Sequence, residues 1–269
     1  MLTMNYFTNK TIWITGASSG IGRECSVQLA KIPKVSLILS ARNVEKLEEL
    51  CNECRNAGAQ CEILPLDLEQ THTLTEKTNH ALSLFGGIDV VIHNGGISQR
   101  SLAEETPIEN DRKIMEIDYF STVIITKALL PHMIARRSGH IVAVSSISGC
   151  FGFPQRTAYC AAKHAMYGYF EALDIEMRQH NVAVTIVAPG RIQTNISYSA
   201  LTKDGTPHGS MDDGQANGMP VELCVKKMLK AIARRKHEAL IGRKEVIMVY
   251  LYRIVPKIFH IIAGKIKAT

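Results

Sequence analysis

The sequence predicts an α/β fold: a single-domain, doubly wound parallel sheet of about seven strands flanked by helices. Three observations carry this. Short Val- and Ile-rich runs alternate with longer amphipathic ones along the whole chain, the short runs are apolar almost without interruption, and a glycine-rich turn directly follows the first of them. An uninterrupted apolar run marks a strand covered on both faces, and such strands belong to parallel sheets with helices on either side.

In chain order, strands are expected at 11–15, 36–40, 62–65, 90–93, 140–145 and 182–188, with a last one at 239–242. Between them the apolar spacing predicts helices at 23–31, 44–57, 74–85, 111–136, 158–180 and 221–233. Strict alternation of strand and helix makes right-handed crossovers, and ligands of such a sheet sit beyond the carboxyl ends of its strands. The chemistry is therefore to be sought just after each strand.

With 269 residues and no Pro/Gly/Ser-rich linker or internal repeat, the chain reads as one domain over 1–244 followed by a tail over 245–269. At 46% hydrophobic and 21% charged, with mean hydropathy near zero, it has the composition of a globular protein with a sizeable core. The net charge of +6 is gathered late, from Lys226 and Lys227 through Arg234, Arg235 and Lys257 to Lys265 and Lys267. No aromatic-basic motif or DNA-reading helix accompanies it, so nucleic acid is not the expected partner; an anionic cofactor or an acidic membrane surface suits it as well.

The first strand begins at Thr11 with no apolar leader ahead of it, and seven cysteines form an odd set, so a cytoplasmic setting and free thiols are expected. Cys51-x-x-Cys54 with Cys61 lies in a charged helical stretch and lacks a second zinc knuckle, so no metal is expected.

After the first strand, Thr15-Gly16-Ala17-Ser18-Ser19-Gly20-Ile21-Gly22 opens a helix. Glycines there allow a tight turn and let backbone N–H groups meet a pyrophosphate at the positive end of the helix. The second strand ends Ser40-Ala41-Arg42, where an NAD site would carry an acid for the ribose 2′-hydroxyl. A guanidinium instead grips a 2′-phosphate, so Arg42 points to NADP(H). Asp67 in Leu66-Asp67-Leu68 is placed to accept from an adenine amino group, and Asn94-Gly95-Gly96 makes a second flexible rim.

The fifth strand ends at Ser145-Ser146, and downstream Tyr159 and Lys163 stand one helical turn apart on one face. A free phenol, with a pKa of about 10, is a poor acid/base at neutral pH, but a neighbouring ammonium favours phenolate and moves it towards the working range. Ser146 is placed to donate to a substrate oxygen as charge develops on it.

Thr15 to Gly22, Asn94-Gly95-Gly96, Ser146, Tyr159-x-x-x-Lys163 and Pro189-Gly190 together resemble the short-chain dehydrogenase/reductase superfamily in order and spacing. Residues 96–101, 128–133 and 203–211 are similar, within it, to the dehydrogenase/reductase member 7 group, including member 7B. The resemblance implies a seven-stranded Rossmann sheet, a homo-oligomer (dimer or tetramer) and a carbonyl reductase with Tyr159 as proton donor. It further implies that Lys163 bonds the nicotinamide ribose and that Ile192 and Thr194 position the carboxamide. Two departures stand out. His93 replaces the first asparagine of the family's Asn-Asn-Ala-Gly, and the asparagine of its catalytic tetrad falls on Asp118, whose charge would pair with Lys163 and retune the tyrosine.

Residues 191–219 lack clean periodicity and read as a substrate loop. Phe151, Phe153, Tyr198, Leu201 and Met211 are candidates for an apolar pocket wall. The tail is apolar but broken by Arg253, Pro256, Lys257 and His260 too often for a spanning helix, so it is expected first to pack on a partner subunit, with capping of a lipophilic substrate pocket or a place in a membrane interface as the alternatives. The functional expectation is an NADP(H)-dependent oxidoreductase acting on a lipophilic ketone or alcohol; the alternative is a non-catalytic NADP(H)-binding sensor or membrane-associated module on the same fold.

Overall fold

The computed structural model describes residues 4–263; Lys265, Lys267 and the last residues of the expected tail lie outside them. Seven strands form one parallel sheet: β1 (Thr11–Thr15), β2 (Ser36–Ser40), β3 (Gln60–Ile63), β4 (Val90–His93), β5 (Gly139–Val144), β6 (Val182–Pro189) and β7 (Glu238–Ile241). Their spatial order is β3-β2-β1-β4-β5-β6-β7. The order reverses between β1 and β4, so the crevice at the carboxyl ends of these two strands is where this architecture accepts a ligand.

The helices are α1 (Gly20–Ala30), α2 (Val44–Asn56), α3 (Leu74–Leu84), α4 (Ile108–Met115), α5 (Ser121–Arg136), α6 (Thr157–Met177), α7 (Asp213–Ala216), α8 (Val221–Ala233), α9 (Val246–Ile254) and α10 (Pro256–Ala263). Continuous apolarity has the expected cause. Ile12 and Ile14 of β1 join the core on one face of the sheet with Leu37 and Leu39, while Trp13 and Ile38 join the core on the other. Trp13 buries its ring fully and meets its one polar requirement by donating Nε1–H to Ser40 Oγ at 2.8 Å.

Element ends move by up to three residues from the sequence reading, α1 for example starting at Gly20 rather than 23, and three differences have a physical reason or consequence. β3 starts at Gln60 rather than 62, because its pairing is set by β2, Ser36 opposite Gln60 through Leu39 opposite Ile63, and it ends before Pro65, which has no N–H to donate. The single helix expected over 111–136 is two helices joined by a π-helical turn, Glu116–Phe120. Its extra residue rotates the following side chains, a feature frequent at functional sites. The tail folds into α9 and α10, which pack on the body through Val249 and Phe259 against Ile147 and Phe151. Among the described residues no helix is long and apolar enough to cross a membrane.

Candidate active site

The turn between β1 and α1 is where the glycines are required. Gly16 has φ +65°, and a Cβ there would sit 2.7 Å from Gly95 Cα, so the two glycine turns, after β1 and after β4, touch backbone to backbone. Thr15 ties them together: its Oγ1 accepts from the backbone N–H groups of Asn94 and Gly95, each at 3.1 Å. Asn94 Nδ2 donates in return to the carbonyls of Thr15 (3.1 Å) and Gly16 (3.2 Å). A groove results, lined by Gly16, Ser18, Ser19, Gly20, Ile21, Arg42, Asp67, Leu68, Asn94, Gly95, Gly96 and Thr194. Gly22 is not among its walls; it lies buried beneath, where a Cβ would collide with Asn94 Nδ2.

Arg42 is exposed at the groove's rim and makes no ion pair among the described residues. Asp67 turns one oxygen back to its own loop, accepting from Glu69 N at 3.1 Å. His93 is fully buried with Nε2 2.9 Å from Thr126 Oγ1, and burial pushes its pKa down to about 3, so it is a neutral core residue.

The groove runs into a second cleft lined by Ser146, Tyr159, Lys163, Asp118, Pro189, Ile192 and Thr194. The short bend after β5 positions Ser146, whose Oγ accepts from Ser148 N at 3.1 Å and lies 3.4 Å from Pro189 O on the neighbouring β6. Tyr159 and Lys163, on the first turns of α6, are both buried. Lys163 Nζ stands 5.7 Å from the Tyr159 ring centroid, donates to Val144 O at 3.3 Å and lies 3.1 Å from Asp118 Oδ2.

Asp118 sits in the π-helical turn at 0% exposure. Its Oδ1 accepts from Ile97 N at 2.8 Å, and a Cβ on Gly96 would come within 2.9 Å of Oδ2. Only a glycine at 96 leaves room for the carboxylate.

The electrostatics correct one expectation. The lysine was expected to bring the phenol down into the working range; instead Tyr159 is held above its ordinary value. Burial is the largest cause, Lys163 and the Ser146 hydroxyl pull the other way, and the Asp118 charge opposes them. Burial also works against the Lys163 ammonium, but Asp118 and Tyr159 outweigh it and keep the lysine charged. The Asp118 carboxyl is itself raised by burial, against the pull of Lys163. The lysine's charge is thus shared between the aspartate and the phenol.

Two sets of contacts in the cleft go beyond the sequence reading. Arg100 meets Asp212 side-on, Nε donating to Oδ2 at 3.0 Å and to Oδ1 at 3.2 Å with Nη2 also on Oδ2, and the two side chains are only 5% and 6% exposed. Arg156 Nη2 reaches the same carboxylate at 3.3 Å, and Ser197 donates to it at 3.0 Å. These contacts fasten the loop over 191–219 across the cleft. Burial alone would raise the Asp212 carboxyl, yet Arg100, Ser197 and Arg156 hold it below its ordinary value.

Gln99, fully buried, caps α6: its Oε1 accepts from Ala158 N at 2.9 Å and Tyr159 N at 3.4 Å, a duty that Arg156 at the N-cap does not perform with its own side chain. Of the expected apolar wall, Phe153 lines this cleft and Leu201 the groove. Phe151 instead is core beneath the tail, and Tyr198 is exposed. The Cys51, Cys54 and Cys61 thiols are buried between α2 and β3.

A family profile described as short chain dehydrogenase matches residues 10–204. The chain is 39% identical over 259 residues to "Dehydrogenase/reductase SDR family member 7B" of Mus musculus, covering 94% of this chain and 80% of that protein. It is 40% identical over 255 residues to "Dehydrogenase/reductase SDR family member 7" of Homo sapiens, covering 93% and 75%. Among solved structures, a short-chain dehydrogenase/reductase from Burkholderia phymatum in complex with NAD superposes with a TM-score of 0.82 at 20% identity, over 98% of each chain. One from Sphingobium yanoikuyae in complex with NADPH gives 0.78 at 22%, over 96% of each. On the profile and the curated relatives, the chain belongs to the short-chain dehydrogenase/reductase family of oxidoreductases.

Proposed function

We propose that this chain is an NADP(H)-dependent carbonyl reductase or alcohol dehydrogenase acting on a lipophilic substrate, with Tyr159 exchanging the proton. The observation that carries the reading is the meeting of Ser146, Tyr159 and Lys163 where the glycine-walled groove opens into the cleft. The groove fits a dinucleotide: side chains are absent at Gly16, Gly20, Gly95 and Gly96, and the N-terminus of α1, which Ser19 does not cap with its side chain, borders it. Lys163 would hold the nicotinamide ribose, Ile192 and Thr194 the carboxamide, Asp67 the adenine edge and Arg42 a 2′-phosphate. The cofactor supplies or accepts the hydride.

The chain's own residues handle the proton. Ser146 Oγ donates a hydrogen bond to the substrate oxygen, and Tyr159 gives that oxygen its phenolic proton as the carbonyl carbon is reduced. A phenol held above its ordinary pKa keeps its proton at neutral pH, as a proton donor in reduction must. Lys163 stabilises the phenolate left behind, and Asp118 keeps Lys163 charged and in place. The cleft wall is mixed: Ile147, Phe153, Ile192 and Ile196 offer an apolar side, Ser98, Arg100 and Gln215 a polar one. A largely apolar carbonyl compound with a polar end matches that lining.

The test is oxidation of NADPH by the purified chain across a panel of steroid, retinoid and aromatic ketones and aldehydes, with NADPH and NADH titrated by fluorescence. Turnover with part of the panel and tighter binding of NADPH than of NADH are expected. No turnover despite cofactor binding would favour a sensor, and tighter NADH binding would overturn the role of Arg42.

A further inference from the structure

The helices α9 and α10 pack on one another and show two different sides. One side is anchored: Val249 and Phe259 are buried with Ile147 and Phe151, and Tyr252 stacks edge-on against Phe259 at 5.0 Å. The other carries Ile247, Tyr250 and Ile254 on α9, at i, i+3 and i+7, and Ile258, Ile261 and Ile262 on α10, at i, i+3 and i+4. Each set forms one stripe along its helix. Ile247, Ile254 and Ile261 are 64%, 74% and 68% exposed, more than any other large apolar side chains of the described residues except Ile175 at 66%. Exposed apolar stripes of this kind mark an interaction surface.

The charges around the patch decide what it meets. No Asp or Glu occurs after Glu245, whereas Arg253, Lys257, His260, Lys265 and Lys267 do. Glu245 is engaged inward, accepting from Arg191 N and Arg243 N, each at 3.1 Å. Glu238 is taken by Arg253 through two hydrogen bonds of 2.8 and 2.6 Å. Arg243, Lys244 and Lys257 are exposed at the base of the hairpin and at its bend. In a two-fold dimer this face would meet its own copy and bring those cations together with no acid from the hairpin to answer them. An anionic bilayer answers them directly, and exposed Tyr250 is of the type that settles at headgroup level. Neither helix is long enough to cross the hydrocarbon layer, so the hairpin would lie along it.

We propose that the α9–α10 hairpin docks the protein on anionic lipid membranes, with Ile247, Ile254, Ile258 and Ile261 entering the acyl boundary and Lys244 and Lys257 meeting the headgroups. The hairpin's anchored side rests on Ile147, the neighbour of Ser146. The proposal is independent of the chemistry assigned to Tyr159.

The full chain is to be co-sedimented with vesicles of phosphatidylcholine alone and of phosphatidylcholine with phosphatidylserine, and its mass in solution measured by light scattering. Binding selective for phosphatidylserine and weakened by salt is expected, and the paired change Ile254→Glu with Ile258→Glu should weaken it roughly tenfold or more. Both positions are exposed, so the thermal unfolding midpoint should not move, and Lys257→Glu should weaken binding by a smaller factor. A native protein that ignores phosphatidylserine vesicles, or binds both vesicle types equally, overturns the proposal. So does a native dimer that the isoleucine changes split into monomers without any vesicle binding.

Discussion

Asp118 and Asp212 are both carboxylates sealed into one cleft opposite a buried cation, yet the protein drives their ionisation in opposite directions. Asp118 has a single ammonium at 3.1 Å and one backbone N–H, and burial prevails: its carboxyl is raised. Asp212 faces the side-on fork of Arg100, a second guanidinium from Arg156 and the Ser197 hydroxyl, and it is lowered in spite of burial. The difference teaches that a nearby opposite charge does not by itself settle a buried acid; the number and alignment of hydrogen-bond donors do. It also separates two uses. The well-donated acid holds a loop shut, and the poorly donated one is left as a source of charge beside the reacting phenol.

The largest effect is expected at Asp212. Asp212→Ala removes the carboxylate that buried Arg100 and half-buried Arg156 share and should cost about 3–5 kcal/mol in denaturant unfolding, with faster hydrogen exchange over the loop at 191–219. Its pH dependence follows from the lowered carboxyl: the stabilisation is complete above the ordinary value of about 4 and fades as pH falls through the lower folded value. Asp118 has the reverse sign, since a raised acid loses stability as pH climbs from about 4 through its folded value. Native protein and Asp118→Asn compared across that window should therefore diverge with rising pH; curves that run parallel would erase the contrast.

Asp118→Asn sharpens the comparison in activity as well. The amide keeps the contact to Ile97 N but frees the Lys163 charge to act on the phenol, so the rising limb of the pH profile for alcohol oxidation should move to lower pH. An unmoved profile would mean that the aspartate does not tune the tyrosine. Arg42 is the exposed counterpart, a cation in solvent, and Arg42→Ala should weaken NADPH roughly tenfold while leaving NADH nearly unchanged. Smallest is a neutral group: Gln99→Ala uncaps α6 and should lower stability by about 1 kcal/mol.

Much of this was legible because it is local. The glycine turn, Ser146 at the end of β5 and Tyr159 one helical turn from Lys163 are set by short spacings, and the apolar runs carried the sheet. Asp118 was legible as a pairing partner, but its effect was not: the balance among burial, Lys163 and Tyr159 exists only once α6 and the π-helical turn close on each other. Arg100 and Asp212 were invisible for a plainer reason. Their contact spans a sequence separation of 112, and although Arg100 falls in the 96–101 stretch that carries the family resemblance, no spacing ties it to Asp212. Gln99 likewise caps a helix that begins far downstream.

The proposed proton transfer depends on the Tyr159 hydroxyl. Tyr159→Phe removes one hydroxyl from a buried ring and should leave NADPH affinity unchanged. In a rapid-mixing single turnover with any ketone the native protein reduces, oxidation of NADPH should then be slower by roughly 10²–10⁴-fold. A variant that reduces the ketone at the native rate would show that the proton comes from elsewhere.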